Sequence, residues 1–150
     1  FAMALASDIR ICADDAKFAT SFIRLGLSGC DIGVSWLLPR LIGASRSHEL
    51  LLTGRVFDAR EADALGLVSR VVEPGQLLES ALETARLIAA NSPFGVWMTK
   101  EVMWSNLEVG SLQAGIVLEN RTQILSSGTE DSRAAMAGFL RGDPVEWQNR

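Results

Sequence analysis

The clearest hydrophobic periodicity lies in the second half of the chain. Leu77, Leu78, Ala81, Leu82, Ala85, Ile88 and Ala89 recur at three-to-four spacing, which predicts one long amphipathic helix. Ser92-Pro93 supplies an N-cap and a proline at the first helical position of the next helix. That helix carries Trp97, Lys100, Glu101 and Trp104 along one side. A third helix is predicted from Ser111 to about Ser127, ended by Gly128. Thr129-Glu130-Asp131 opens a last one with acids in its first turn, and Gly142-Asp143-Pro144 stops it.

The first half reads differently. Residues 1–7 suit the end of a buried helix, and Asp8–Ala13 alternates polar and apolar as a half-buried strand does. Asp14-Asp15 is turn chemistry, and Lys17–Thr20 is a second short strand. Gly26–Gly33, with three glycines and Asp31, reads as a loop opening onto a helix over Ile32–Leu41 that contains Pro39 and ends at Gly43. Ser45 is placed to cap a helix to Thr53, with Gly54 after it. Asp58-Ala59-Arg60-Glu61 has capping-box spacing, in which Glu61 would reach back to the cap; its helix stops at Gly66. Leu67–Val72 is a valine-rich strand closed by Glu73-Pro74-Gly75. The pattern divides the chain into a strand-and-loop part, 1–75, and a helical part, 76–150.

Composition narrows the class. A chain of 150 residues that is 48% hydrophobic and 21% charged can fold around a real core. A net charge of −4 and the lack of a basic cluster argue against nucleic acid as a partner. No apolar run approaches the roughly 20 residues that span a bilayer, so no membrane segment is expected. Cys12 and Cys30 lack metal-ligand spacing and read as two reduced core thiols in a cytoplasmic protein. No metal site and no separate cofactor is expected. Phe1-Ala2-Met3-Ala4-Leu5-Ala6 is already in helical register without a starting methionine, which suggests a chain cut from a longer one.

In order and spacing, several segments together resemble the crotonase (enoyl-CoA hydratase/isomerase) superfamily. They are Ala6-Ser7-Asp8-Ile9-Arg10-Ile11, Ala16-Lys17-Phe18, Leu25-Gly26-Leu27, Leu38-Pro39-Arg40-Leu41-Ile42-Gly43 and Glu49-Leu50-Leu51-Leu52-Thr53-Gly54-Arg55. Glu61-Ala62, Gly66-Leu67-Val68 and Ser92-Pro93 through Thr99-Lys100-Glu101 follow. The resemblance implies an α/β fold, a partial ββα spiral followed by a helical C-terminal trimerisation region, and a homotrimer or hexamer. It implies an acyl-CoA thioester as substrate, with coenzyme A entering only as part of it. In the family two backbone N–H groups stabilise the thioester enolate. The resemblance places both upstream of Phe1, so residues 1–150 would be the C-terminal part of a subunit and inactive alone.

Two departures bear on the chemistry. The two glutamates that flank water in ordinary hydratases match Ala2 and Phe22, neither of which can accept a proton. Asp31 matches an aspartate found in members resembling dienoyl-CoA isomerases, with one extra residue in the loop before it, and also the nucleophilic aspartate of members resembling 4-chlorobenzoyl-CoA dehalogenases. Asp31 is therefore the candidate acid/base in place of the two glutamates, while an N-cap role for the following helix is the plainer reading. Phe22, Leu27 and Trp36 are candidate substrate-binding residues, and Arg141 is the candidate for a CoA phosphate of a neighbouring subunit. His48, the single histidine, reads as structural. The alternatives to an enoyl-CoA hydratase/isomerase are a non-catalytic acyl-CoA-binding or structural homologue and an aromatic acyl-CoA enzyme using Asp31 as nucleophile.

Overall fold

The computed structural model describes residues 1–143 and 145–149, with Leu140 described by its backbone alone. Pro144, assigned above to the end of the last helix, lies outside the described residues. The chain forms two compact units, 1–83 and 84–150.

In the first unit the order is α1 (Ala2–Leu5), β1 (Ile11–Ala13), β2 (Lys17–Phe18), a 3₁₀ turn (Ser21–Leu25), α2 (Val34–Ile42) and α3 (Ala44–Thr53). Then come β3 (Phe57–Asp58), α4 (Ala59–Ala64), β4 (Arg70–Val72), a 3₁₀ turn (Pro74–Gln76) and α5 (Leu77–Ala89), within which the unit boundary falls. β1 and β4 pair in parallel, with Cys12 opposite Val71. β2 and β3 pair antiparallel, with Phe18 opposite Phe57.

The core follows the helical spacing of two neighbouring helices. Val34, Leu38 and Ile42 lie one turn apart on α2 and are buried with Leu50 and Leu51 of α3. Leu5, Cys12, Phe57, Ala59, Ala62, Leu67 and Val68 complete the cluster. Full burial of one such leucine contributes about 1.5–3 kcal/mol. Phe1, Phe18 and Phe57 form an aromatic group against this core, with the Phe18 and Phe57 rings stacked at 5.3 Å. Arg10 joins separate segments: its Nε donates to the Leu67 carbonyl at 2.7 Å, and Nη1 donates to the Ser7 carbonyl. Burial lowers its pKa. Burial likewise raises that of the Cys12 thiol, whereas Cys30, also expected in the core, is exposed in the loop before α2.

Several local expectations are corrected. The strands are shorter than their alternating patterns, because Arg10 and Ser69 bond to one another outside the ladder through the Ser69 N–H and hydroxyl, both donating to the Arg10 carbonyl. α1 buries only Leu5 and leaves Met3 88% exposed. α3 starts at Ala44, not after Ser45, because Gly43 at φ +83° turns the chain directly from α2 into α3. Asp58 caps α4 by accepting the Glu61 N–H at 2.8 Å, but the Glu61 carboxylate does not reach back. It is held instead by the Arg55 guanidinium, whose Nη1 and Nη2 lie 2.8 and 2.5 Å from its two oxygens while Nε reaches Glu49 at 2.8 Å. The stripe on α5 is not a buried face: Leu78 is 72% exposed, and the buried residue is Ser80, which accepts from Arg70 Nη1.

In the second unit, the rest of α5 is followed by α6 (Pro93–Asn106), α7 (Leu112–Ser127) and α8 (Glu130–Arg141). All three starts match the sequence reading, with Ser92, Ser111 and Thr129 each accepting an N–H three residues on. α6 packs on α7 where Gly115 leaves room for the Asn106 side chain, which donates to Glu119. The acid placed in the first turn of α8 has a larger role than the helix dipole gives it. Asp131, 1% exposed, accepts the N–H groups of Gln148 and Asn149 at 2.7 and 2.9 Å. The Trp147 indole N–H donates to the Ala90 carbonyl at 2.8 Å, so the tail is fastened at two places.

Candidate active site

Three segments of the first unit line an open cavity of about 300 Å³. Phe1 and Ala2 contribute from the start of the chain, and Ala19, Thr20, Ser21, Phe22 and Leu25 from β2's exit and the 3₁₀ turn. Gly29 and Ile32 contribute from the following loop, and Val34 from the start of α2. None of these side chains titrates. The Thr20 hydroxyl is buried and donates to the Leu50 carbonyl at 3.1 Å.

Ala2 and Phe22, which the family resemblance sets against the hydratase glutamates, thus line one apolar cavity. Asp31 sits in the chain between the lining residues Gly29 and Ile32, and is itself exposed. Its Oδ1 accepts the Ile32 N–H at 2.9 Å, and its carbonyl accepts the Val34 N–H at 2.9 Å. It is not the N-cap of α2, which begins at Val34 after Gly33 rather than at Ile32. The reason is conformational: Ile32 and Gly33 both adopt positive φ, +44° and +85°. For a β-branched residue this is strained, at about 1–3 kcal/mol. The bonds from Asp31 to either side of the kink hold it in place.

Asp31 is not itself among the lining residues, and the remaining sequence candidates also lie apart from the lining. Leu27 is exposed, and its N–H donates to the Phe22 carbonyl at 3.1 Å, closing the 3₁₀ turn. Trp36 lies on α2 with the Arg40 guanidinium 3.2 Å above its ring. Arg141 ends α8 in the second unit, where its Nε donates to Asp143 at 2.6 Å. His48 is exposed on α3. Sequence reasoning missed Thr20, Gly29 and Ile32 as wall residues; three short segments distant along the chain build the wall, and no periodicity marks them.

In the second unit a groove of about 470 Å³ runs between α6 and α7, and its one titratable side chain, Glu119, accepts from Asn106. Among the described residues no group of three or more His, Cys, Asp or Glu side chains could hold a metal ion, and no helix is long and apolar enough to cross a membrane.

Comparison with known proteins gives the family of the chain. The family model described as enoyl-CoA hydratase/isomerase matches residues 1–150. The Mycobacterium tuberculosis protein named "Probable enoyl-CoA hydratase EchA12" is 41% identical over 139 residues, covering 90% of this chain and 49% of that protein. A short-chain-enoyl-CoA hydratase of Clostridioides difficile is 35% identical over 137 residues, covering 91% of this chain and 87% of that one. The crystal structure of an enoyl-CoA hydratase from Bacillus anthracis superposes with a TM-score of 0.92 at 33% identity, covering 97% of this chain and 56% of that one. The chain spans about half the length of the first of these relatives and of this solved structure.

Proposed function

The chain belongs to the enoyl-CoA hydratase/isomerase family, within the crotonase superfamily, and from that membership we propose that the complete protein processes acyl-CoA thioesters with Asp31 as its acid/base. The observation that carries this reading is the composition of the cavity wall. Ala2 and Phe22 stand where paired glutamates would handle water, the remaining lining is apolar or hydroxylic, and the carboxylate nearest along the chain is Asp31.

Such a site favours moving a double bond over adding water. Asp31 removes a proton from the carbon beside the thioester carbonyl of a 3-enoyl ester. The electron pair enters a dienolate, and the same carboxyl returns the proton at C4 to give the 2-enoyl ester. No water is consumed, so no second carboxylate is needed to position one. The enolate oxygen needs fixed N–H donors, which the family resemblance puts upstream of Phe1. Losing even one such donor typically costs about 10²–10³ in rate, so residues 1–150 alone are inactive under this reading.

Exposed apolar side chains on α6 to α8, among them Trp97, Leu112, Ile124 and Phe139, support a homotrimer or hexamer. In that assembly Arg141 would leave Asp143 for a CoA phosphate of a neighbouring subunit. A second reading, a non-catalytic acyl-CoA binder, is favoured by the same wall without titratable groups. Turnover of 2-enoyl-, 3-enoyl- and dienoyl-CoA by the complete protein, beside calorimetric titration with the same esters, separates the two. Isomerisation supports the enzyme; tight binding without turnover of any ester supports the binder.

A further inference from the structure

The cavity wall rests on the last turn of α3 at three places. The buried Thr20 hydroxyl donates to the Leu50 carbonyl at 3.1 Å. Gly29 lies so close to Leu51 that a Cβ there would come within 2.7 Å of the Leu51 carbonyl oxygen. Gly54, at φ +59°, lies where a Cβ would meet Ile23 Cγ2 at 2.6 Å and the Thr20 carbonyl oxygen at 3.3 Å. The Leu50 carbonyl accepts the Gly54 N–H that closes α3, at 3.0 Å, and takes the Thr20 hydroxyl as a second donor, while the Leu51 carbonyl faces Gly29, so the end of the helix serves as a seat for the wall. Leu50 and Leu51 are fixed by burial in the core, so the seats are rigid. Thr20 and Gly29 themselves line the cavity, and Ile23 belongs to the turn that carries Phe22 and Leu25.

We propose that the last turn of α3 positions the cavity wall, and that Gly29 is the position that sets which acyl groups the cavity accepts. The obstacle to a side chain at residue 29 is backbone and cannot rotate away. Any larger residue must push the segment 29–32 off Leu51, moving two lining residues and the Asp31 between them. Thr20 is a positioning residue on the opposite side of the same seat. The choice of acyl group rests on the acyl-CoA reading above; the seating of the loop does not.

The test uses the complete protein in four forms: wild type, Gly29→Ala, Thr20→Val and Thr20→Ser. Amide hydrogen exchange over residues 26–34, without ligand, reads the seating. Calorimetric titration with one straight-chain and one aromatic acyl-CoA reads the selection. Gly29→Ala and Thr20→Val should speed loop exchange about five- to tenfold while α3 keeps its wild-type rates, and Thr20→Ser, which restores the donor, should return it to wild type. Gly29→Ala should also change the ratio of the two affinities by about tenfold, the scale of one or two methylene contacts in a pocket. Exchange that stays unchanged, or rises equally across the core, overturns the positioning role. A local rise with an unchanged affinity ratio overturns the selecting role. If Gly29→Ala does not fold, the Thr20 pair decides the seating, and the affinity ratio of Thr20→Val, which loosens the same wall without adding an atom at residue 29, decides selection: a changed ratio supports it and a wild-type ratio overturns it. A wild type that binds neither ester defeats the acyl-CoA reading and with it the selecting role, while the exchange pattern still decides the seating.

Discussion

Ala2 of α1 and Phe22 of the turn after β2, twenty positions apart in sequence, line the same cavity. The family resemblance matches them to the two hydratase glutamates, and neither side chain on this shared surface is a carboxylate. Replacing them together, Ala2→Glu with Phe22→Glu, should raise hydration of a 2-enoyl-CoA by the complete protein by at least about tenfold, since positioned acid–base groups contribute about 10²–10⁴. The gain is capped because the new carboxylates enter an apolar wall that disfavours their charged form. Hydration assays on wild type and double variant, read against isomerisation of a 3-enoyl-CoA, check this.

Ile32 holds a left-handed backbone with a side chain that is 72% exposed. Ile32→Gly removes a strain of about 1–3 kcal/mol and adds about 0.5–1 kcal/mol of chain entropy to the unfolded state. Denaturant unfolding should therefore show stability unchanged or raised by up to about 2.5 kcal/mol. A loss of more than about 1 kcal/mol would mean that the side chain is held by contacts outside the described surface.

Arg55 bridges Glu49 of α3 and Glu61 of α4. Its bidentate hydrogen bond holds the Glu61 carboxyl below its ordinary value of 4.5. A carboxyl lowered in the folded state contributes stability that is present above its unfolded value and is lost as pH falls through the lowered one. All three side chains are at least a third exposed, so Arg55→Met should cost no more than about 1 kcal/mol at neutral pH. The cost should begin to shrink near the ordinary value of 4.5 and vanish once the pH is below the lowered folded-state value, which urea melts across the acidic range would record.

Asp131 gives both carboxylate oxygens to the tail. Asn at this position keeps one acceptor and sets an amide N–H₂ against a backbone N–H. Asp131→Asn should release residues 145–149, with amide exchange there rising by about 10- to 100-fold, the range set by losing a charged hydrogen bond worth about 1.5–3 kcal/mol. The start of α8, capped separately by Thr129, should keep its protection.

How far the fold could be read from sequence depended on the range of the chemistry involved. Ser92, Ser111, Thr129 and Asp58 cap helices within three residues of themselves, and their positions in the chain announced them. Glu61 was misread because Arg55, outside the capping box, offers it a charged partner. The late start of α2 turns on a left-handed isoleucine that no propensity favours, held by bonds from Asp31. The stripe on α5 was legible as a pattern, but a pattern does not say what covers it. Within the site, Phe22 was found from the family resemblance and does line the cavity, whereas Thr20 and Gly29 depend on contacts with Leu50 and Leu51 some twenty to thirty residues away.

The central claim, that Asp31 carries the proton, is tested most directly by the Asp31→Asn variant of the complete protein assayed with 2-enoyl-, 3-enoyl- and dienoyl-CoA. Asn keeps the oxygen that accepts the Ile32 N–H, so the kink before α2 should survive and thermal unfolding should stay near wild type. Turnover should fall by about 10²–10⁴, the contribution of a positioned acid–base group, with ester affinity retained. Unchanged turnover in a folded Asp31→Asn protein would contradict the claim.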